Sequence, residues 1–427
     1  MTAATTTSKV VPAVRLRGRL TLPSDKSIAH RALIFGALSG GPATVTMRAP
    51  GRDVLSTLAC LRALGVSVEQ SSDRYLISGR PSRDAELDCG NSGTTMRLLA
   101  GAVAGMPLRV TLDGDDSLRA RPMERVATLL RPAGAEVTTT EGHAPLTVVG
   151  RATLAPTTHR LPVASAQLLA AAALAGLSAT GETIIDTPGP TRDHTERMLA
   201  FMGVAIHREG RITTLTGPAK PRPFELEVPG DPSAASAWLV AAALHPDAEL
   251  MMAEVGLNPT RLALVGLLQR MGVEIETRVT GVSGSEPVGE ISARGGRPLR
   301  SVTIGGGEVA DLIDELPLIA IAMASVDDPS EVRDASELRV KETDRIAAMV
   351  AGLRGIGAQV EELPDGWRVQ RGTPREARIA THGDHRIAIA FAIAGLTGVA
   401  SAVELDDPDC ASVSYPTFWQ DLATVRG

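Results

Sequence analysis

LRALGVSV at 61–68 decides the fold, because it recurs. It returns as LRPAGAEV at 130–137, LAFMGVAI at 199–206, LQRMGVEI at 268–275 and LRGIGAQV at 353–360. Each copy closes an amphipathic helix on a glycine and runs straight into a strand-like stretch. Glycine is expected there, since it takes up the left-handed conformation at a helix C-terminus without a Cβ penalty. The glycines at 65, 134, 203 and 272 are each 69 residues apart, and the next is Gly357. A fixed period of this kind marks an internal repeat, which constrains the fold more than any single motif does.

Upstream of each copy lies an Ala/Leu/Ile-rich segment, at 32–38, 98–104, 168–177, 238–244 and 316–324, with a sixth at 387–396. Being apolar on most faces, each reads as a buried helix, and each is followed by a turn and a strand-like stretch. Six copies of one α/β unit result. The sixth stops at its second helix, 416–426, while the chain begins with a surplus extended stretch at 10–22. The simplest closure pairs that stretch with the last repeat. One domain would then hold residues 1–20 plus 229–427 and the other residues 21–228, with three repeats in each. Two crossings, near 20–21 and 228–230, would form a hinge, and a cleft between hinged domains is a common place for a substrate.

Composition narrows the function. The 427 residues are 44% apolar and 22% charged, as in a soluble folded protein. Ten aromatic residues and a net charge of -6 argue against stacking on single-stranded nucleic acid and against an extended phosphate-backbone footprint. No apolar run approaches the ~20 residues of a membrane span, and the first nine residues lack the apolar segment of a secretory signal. Cys60, Cys89 and Cys410 show no CxxC spacing, so neither a disulfide framework nor a thiolate zinc site is expected, and a cytoplasmic setting is. Only four of the 43 basic residues are lysines: Lys9, Lys26, Lys220 and Lys341. Lys9 and Lys220 lie in a polar tail and a Pro-rich turn. Lys26 and Lys341 sit in dense polar motifs at helix starts, where a compact ammonium acts as a point charge or carries a proton.

Those helix starts hold the other polar residues of interest. The first reads Pro23-Ser24-Asp25-Lys26-Ser27, with Arg31 on the same face as Ser27, four residues on. The second is DCGNSGTTMR at 88–97, the third Ser165-Ala166-Gln167, the fourth Asp231-Pro232-Ser233, the fifth Asp311 with Asp314, and the sixth Gly383-Asp384-His385-Arg386. The fourth is the least informative and reads equally as a plain helix cap. Second helices add Arg121-Pro122, Thr191-Arg192-Asp193-His194 and KETDR at 341–345. Ser, Asp and Asn do cap helices, and arginine does decorate surfaces. Neither habit explains cations gathered at the positive end of helices, each worth ~0.3–1 kcal/mol to an anion. A ligand with several negative charges is implied, of the class of small phosphorylated carboxylic acids.

Other motif readings fail. Lys26-Ser27 lacks the preceding glycines of a nucleotide P-loop. Gly90-Asn91-Ser92-Gly93 is one residue short of a nucleophile elbow. His382 and His385 have no evident third ligand, so no metal is expected, and Gly305-Gly306-Gly307 reads as a turn.

Taken together, LPSDKSIAHR at 22–31, DCGNSGTTMR at 88–97, RARPM at 119–123, SAQ at 165–167, VKETDR at 340–345 and GDHR at 383–386 resemble the 5-enolpyruvylshikimate-3-phosphate synthase family, in order and along nearly the whole chain. The resemblance implies two similar α/β domains, each of three βαβαββ repeats, with helix N-termini facing an interdomain cleft. It implies transfer of the enolpyruvyl group of phosphoenolpyruvate to the 5-hydroxyl of shikimate 3-phosphate, through a tetrahedral intermediate, with no cofactor and a monomeric chain. By resemblance Lys26, Ser27, Arg31, Ser165, Ala166, Gln167, Arg192, Asp314 and Lys341 bind shikimate 3-phosphate. Lys26, Gly93 (through its backbone), Gln167, Arg121, Arg345 and Arg386 bind phosphoenolpyruvate. Asp314 handles the 5-hydroxyl proton, and Glu342 and Lys26 share the other proton transfers.

The chain departs from some members at Val413, where they carry a phosphoenolpyruvate-contacting lysine, and at Glu337 and Arg192, where they carry Asn and Tyr. Gly93 lies where a side chain would crowd the inhibitor glyphosate. Two alternatives stand beside this expectation. UDP-N-acetylglucosamine enolpyruvyl transferase shares the donor and chemistry, with Asp116 here at the position of its loop cysteine. A non-catalytic anion-binding module would share only the fold.

Overall fold

The computed structural model describes residues 8–426. Residues 1–7, the start of the segment expected to carry no secretory signal, and residue 427 lie outside them. Among the described residues fourteen α-helices run in chain order: α1 Lys26–Leu38, α2 Arg52–Ala63, α3 Gly93–Ala104, α4 Asp116–Arg119, α5 Glu124–Leu130, α6 Ala166–Gly176, α7 His194–Phe201, α8 Pro232–Leu244, α9 Ala263–Met271, α10 Gly307–Leu312, α11 Leu316–Met323, α12 Arg345–Gly355, α13 His385–Thr397 and α14 Phe418–Val425. The six apolar segments all fall in buried helices, α1, α3, α6, α8, α11 and α13. The recurring glycines end the second helices as expected, with positive φ at Gly65, Gly134, Gly203, Gly272 and Gly357.

The second repeat shows the unit most plainly. Strand Ala85–Asp88 leads through α3 to Arg109–Asp113, then through α5 to Glu136–Thr140 and His143–Val149. The first two strands pair in parallel and the last two add antiparallel, a βαβαββ unit. The third and fifth repeats pair their strands the same way. A helix start sits at the end of each unit's first strand, which is why the polar motifs recur at equivalent places.

The chain divides into two compact units, one comprising Ser24–Val228 and Val282–Glu286, the other comprising residues up to Pro23, Pro229–Gly281 and those from Pro287 on. Each has its own core. In the unit built on Ser24–Val228, α3 packs on both α1 and α6; in the other, α8, α11 and α13 pack on one another. These helices are apolar nearly all round because helices and sheets surround them. Burying each Leu or Ile contributes about 1.5–3 kcal/mol. Among the described residues no helix is long and apolar enough to cross a membrane.

The closing strands differ from the expectation. The leading stretch does not pair as one piece with the last repeat. Ser8–Val10 pairs antiparallel with Ala402–Leu405 of the sixth repeat, but Leu16–Thr21 pairs in parallel with Ala248–Gly256 of the fourth. The reason lies in the strand before α8. Glu225–Glu227 pairs with Ala43–Thr46 of the first repeat, leaving the parallel edge of the fourth repeat to be filled by Leu16–Thr21. Open backbone groups at both edges are satisfied by this exchange. The turn predicted at Gly305-Gly306-Gly307 instead opens the short helix α10, with Gly306 as its N-cap at φ +58°.

Candidate active site

In the first three repeats the polar helix starts converge through α1. Asp25 caps that helix, accepting from Ile28 N at 2.9 Å. Lys26 Nζ lies 3.0 Å from Asp53 Oδ2, an acid in the first turn of α2. Arg31 is buried and ties three elements together. Its Nε donates to Thr195 Oγ1 at 2.8 Å, its Nη1 to Ser27 O at 2.9 Å and its Nη2 to Ala166 O at 3.4 Å. Burial pulls its pKa down to about 10, with the Arg192 charge pushing the same way and Glu196, Asp25 and Glu286 opposing. An anion set against this guanidinium would relieve that cost, which is the electrostatic mark of a phosphate or carboxylate seat.

Ser165 caps α6, its Oγ accepting from Leu168 N at 3.3 Å. Capping uses only the acceptor side of a hydroxyl, so its proton is still there to donate to an anion. Gln167 is held at both ends: its Oε1 accepts from Arg97 Nη1 at 2.8 Å and its Nε2 donates to Thr94 Oγ1 at 2.9 Å. That places it beside Gly93, the first residue of α3. A Cβ on Gly93 would stand 2.5 Å from Arg97 Nη1 and 3.3 Å from Arg121 Nη1, so the glycine keeps open the approach to both cations. Arg121 Nη2 donates to Asn91 Oδ1 at 2.8 Å, and its carbonyl is 3.0 Å from His143 Nδ1.

The last three repeats assemble a second group. Asp314 precedes α11 and its Oδ1 lies 4.0 Å from Lys341 Nζ and 3.9 Å from Arg345 Nη1. Burial pulls the Lys341 ammonium below the usual lysine range, and Asp314 opposes the shift. Arg345 is buried, donating through Nε to Asp384 Oδ2 at 2.8 Å and through Nη2 to Glu342 Oε2 at 2.6 Å. Burial works against its charge, but Asp384, Glu342 and Asp314 outweigh it and raise its pKa further. Arg386 is the second residue of α13, with Nη1 3.9 Å from Glu315 Oε1. Asp231, Ser233, Asp314 and Arg386, among others, line one small cavity beside this cluster.

The structure thus gathers Ser27, Arg31 and Ala166 around one guanidinium, Gly93, Arg121 and Gln167 around α3, and Asp314, Glu342, Lys341 and Arg345 around a third centre. Arg192 acts on Arg31 through its charge. Lys26 and Arg345 already have carboxylates within 3.0 Å, because a buried cation without one is costly to desolvate. Asp53, Thr195 and Glu315, which sequence reasoning did not single out, lie against the candidate residues Lys26, Arg31 and Arg386. Asp53 looks in sequence like an ordinary acid in a helix first turn, and only the packing of α1 on α2 brings it to Lys26. Among the described residues no three His, Cys, Asp or Glu side chains come together as metal ligands.

Comparison with known proteins identifies the family. The sequence profile of the EPSP synthase (3-phosphoshikimate 1-carboxyvinyltransferase) family matches residues 10–422. The 3-phosphoshikimate 1-carboxyvinyltransferase of Herpetosiphon aurantiacus is 44% identical over 425 residues, covering 97% of this chain and 98% of its own. That of Roseiflexus castenholzii is 46% identical over 424 residues, covering 96% and 98%. An EPSP synthase structure from Acinetobacter baumannii superposes with a TM-score of 0.86 at 35% identity over 98% of both chains. The enolpyruvyl transferase NikO of Streptomyces tendae shares the fold, with a TM-score of 0.78 at 19% identity, over 98% of this chain and 96% of its own. With its βαβαββ repeats, its polar helix starts and its match along nearly the whole length, this chain belongs to the EPSP synthase family of transferases.

Proposed function

We propose that this protein transfers the enolpyruvyl group of phosphoenolpyruvate to the 5-hydroxyl of shikimate 3-phosphate, releasing phosphate. The observation that carries the site assignment is the Asp314–Lys341–Arg345–Glu342 cluster, which sets a carboxylate beside two cations and a second carboxylate. Asp314 takes the proton of the 5-hydroxyl as its oxygen attacks C2 of phosphoenolpyruvate. Glu342, with Lys26, delivers a proton to the methylene carbon, giving a tetrahedral intermediate that carries a methyl group. Loss of a methyl proton and departure of phosphate then form the enol ether.

Ser27, Arg31, Ser165, Ala166, Gln167, Arg192 and Lys341 hold shikimate 3-phosphate. Gly93 N–H, Arg121, Arg345 and Arg386 hold phosphoenolpyruvate, with Lys26 and Gln167 touching both. Each substrate carries a phosphate and a carboxylate, which matches the two kinds of seat. Holding both in contact supplies up to ~7–11 kcal/mol by proximity alone. The protein acts as a monomer in the cytoplasm, where the buried thiols of Cys60, Cys89 and Cys410 would stay reduced.

Turnover in deuterated water tests the addition–elimination course. Deuterium should appear in the methylene of the product's enolpyruvyl group, because the intermediate's methyl group exchanges one of its hydrogens. A product free of deuterium would rule the intermediate out.

A further inference from the structure

Asp314 and Glu315 are adjacent carboxylates with separate partners. Asp314 turns to Lys341 and Arg345, whereas Glu315 is buried against the first turn of α8. There Ser233 Oγ donates to Glu315 Oε1 at 2.5 Å and accepts from Arg261 Nη2 at 2.8 Å. Arg261, whose side chain is 3% exposed, also donates to Asp231 Oδ1 at 3.0 Å, and Asp231 in turn accepts from Ser233 N at 2.8 Å. A hydroxyl has one proton to give, so a guanidinium on one side and a carboxylate on the other fix its direction and polarise it. The result is a buried polar chain from Arg261 through Ser233 to Glu315, ending 3.9 Å from Arg386 Nη1.

That last distance is the informative one. At 3.9 Å Glu315 is close enough to steer the guanidinium by charge, yet it does not take up the Arg386 fork in a hydrogen-bonded pair. A planar fork left in that state suits bidentate recognition of a ligand's carboxylate or phosphate. Ser233, Asp231, Asp314 and Arg386 all line the same cavity, so the chain ends where the reaction is placed.

We infer that Glu315 is a positioning residue for phosphoenolpyruvate, held by Ser233 and Arg261 so that it orients Arg386 without saturating it. The polar start of α8 thereby has a role beyond capping. The inference rests on the assignment of Arg386 to phosphoenolpyruvate under the proposed function.

A double-mutant cycle on the full chain tests both separately, with KM for each substrate, kcat and thermal midpoint as readouts. Glu315→Gln should raise KM for phosphoenolpyruvate at least tenfold and change KM for shikimate 3-phosphate less than twofold. Arg386→Lys should raise the same KM, and the double variant should be no worse than Arg386→Lys by more than twofold. Multiplying effects, or an equal rise in both KM values, would overturn the inference while leaving Arg386 in place. An unchanged KM for phosphoenolpyruvate in Arg386→Lys would instead overturn the underlying assignment. Should Glu315→Gln not fold, Ser233→Ala decides in its place: a rise confined to phosphoenolpyruvate is expected, and a rise shared by both substrates, or none, contradicts it.

Discussion

The Lys341 ammonium lies 4.0 Å from the Asp314 carboxylate, close enough to stabilise its charge and too far to share a hydrogen bond. A carboxylate placed there can accept a proton from a hydroxyl set against it. Asp314→Asn keeps the shape and removes the acceptor. Turnover should fall at least ~10²-fold, the lower end for general acid–base groups, with substrate binding retained. Single-turnover kinetics alongside equilibrium binding check this, and near wild-type turnover would remove Asp314 from the mechanism.

Arg121 holds its place through Asn91 at 2.8 Å and points to the same side as the Gly93 N-terminus of α3. Truncation to alanine deletes charge-assisted bonds worth ~1.5–3 kcal/mol each. Affinity for phosphoenolpyruvate should drop by roughly 10- to 150-fold, with shikimate 3-phosphate affinity little changed. Calorimetric titration of each ligand separates the two, and an unaltered phosphoenolpyruvate isotherm would show the arginine is elsewhere in the chemistry.

Gly134 sits at φ +107° with open space where a Cβ would stand, so a substitution there meets backbone strain and no clash. Gly134→Ala should destabilise the fold by about 1–2 kcal/mol, the cost of forcing an L-residue to positive φ. The denaturant midpoint should move down without a change in slope. An unmoved midpoint would mean the repeat glycine is dispensable at that position.

His159, in the edge strand Thr158–Arg160, is buried, and burial alone lowers its pKa to about 4. In the folded state it stays neutral, while the unfolded chain binds its proton near the ordinary histidine value of 6.5. Its contribution to stability is therefore complete above about pH 6.5 and is lost as pH falls towards 4. The loss is on the order of 3 kcal/mol at most. His159→Gln should flatten the decline of stability across that window, measured as urea midpoints between pH 7 and 4. An identical decline in both proteins would assign the acid sensitivity to other groups.

The repeat was the most legible part of the fold. Five LRALGVSV-like octets located the second helices, and the glycine of each took the positive φ that its position after a helix requires. The six buried helices were legible because nothing but a surrounded helix is apolar on every face. The closing strands were not, because Leu16–Thr21 and Glu225–Glu227 exchange places between repeats and strand pairing leaves no mark in composition. Among polar residues, those in motif positions could be named from sequence, but their partners could not. Asp53 and Glu315 reach Lys26 and Arg386 only through packing, so both read as ordinary surface acids until the helices are in place.

Phosphate release from phosphoenolpyruvate, measured with shikimate 3-phosphate in one sample and UDP-N-acetylglucosamine in another, tests the central claim most directly. Release with shikimate 3-phosphate alone is the predicted result. Release with UDP-N-acetylglucosamine alone would keep the chemistry and contradict the acceptor, and silence in both from folded protein would contradict catalysis itself.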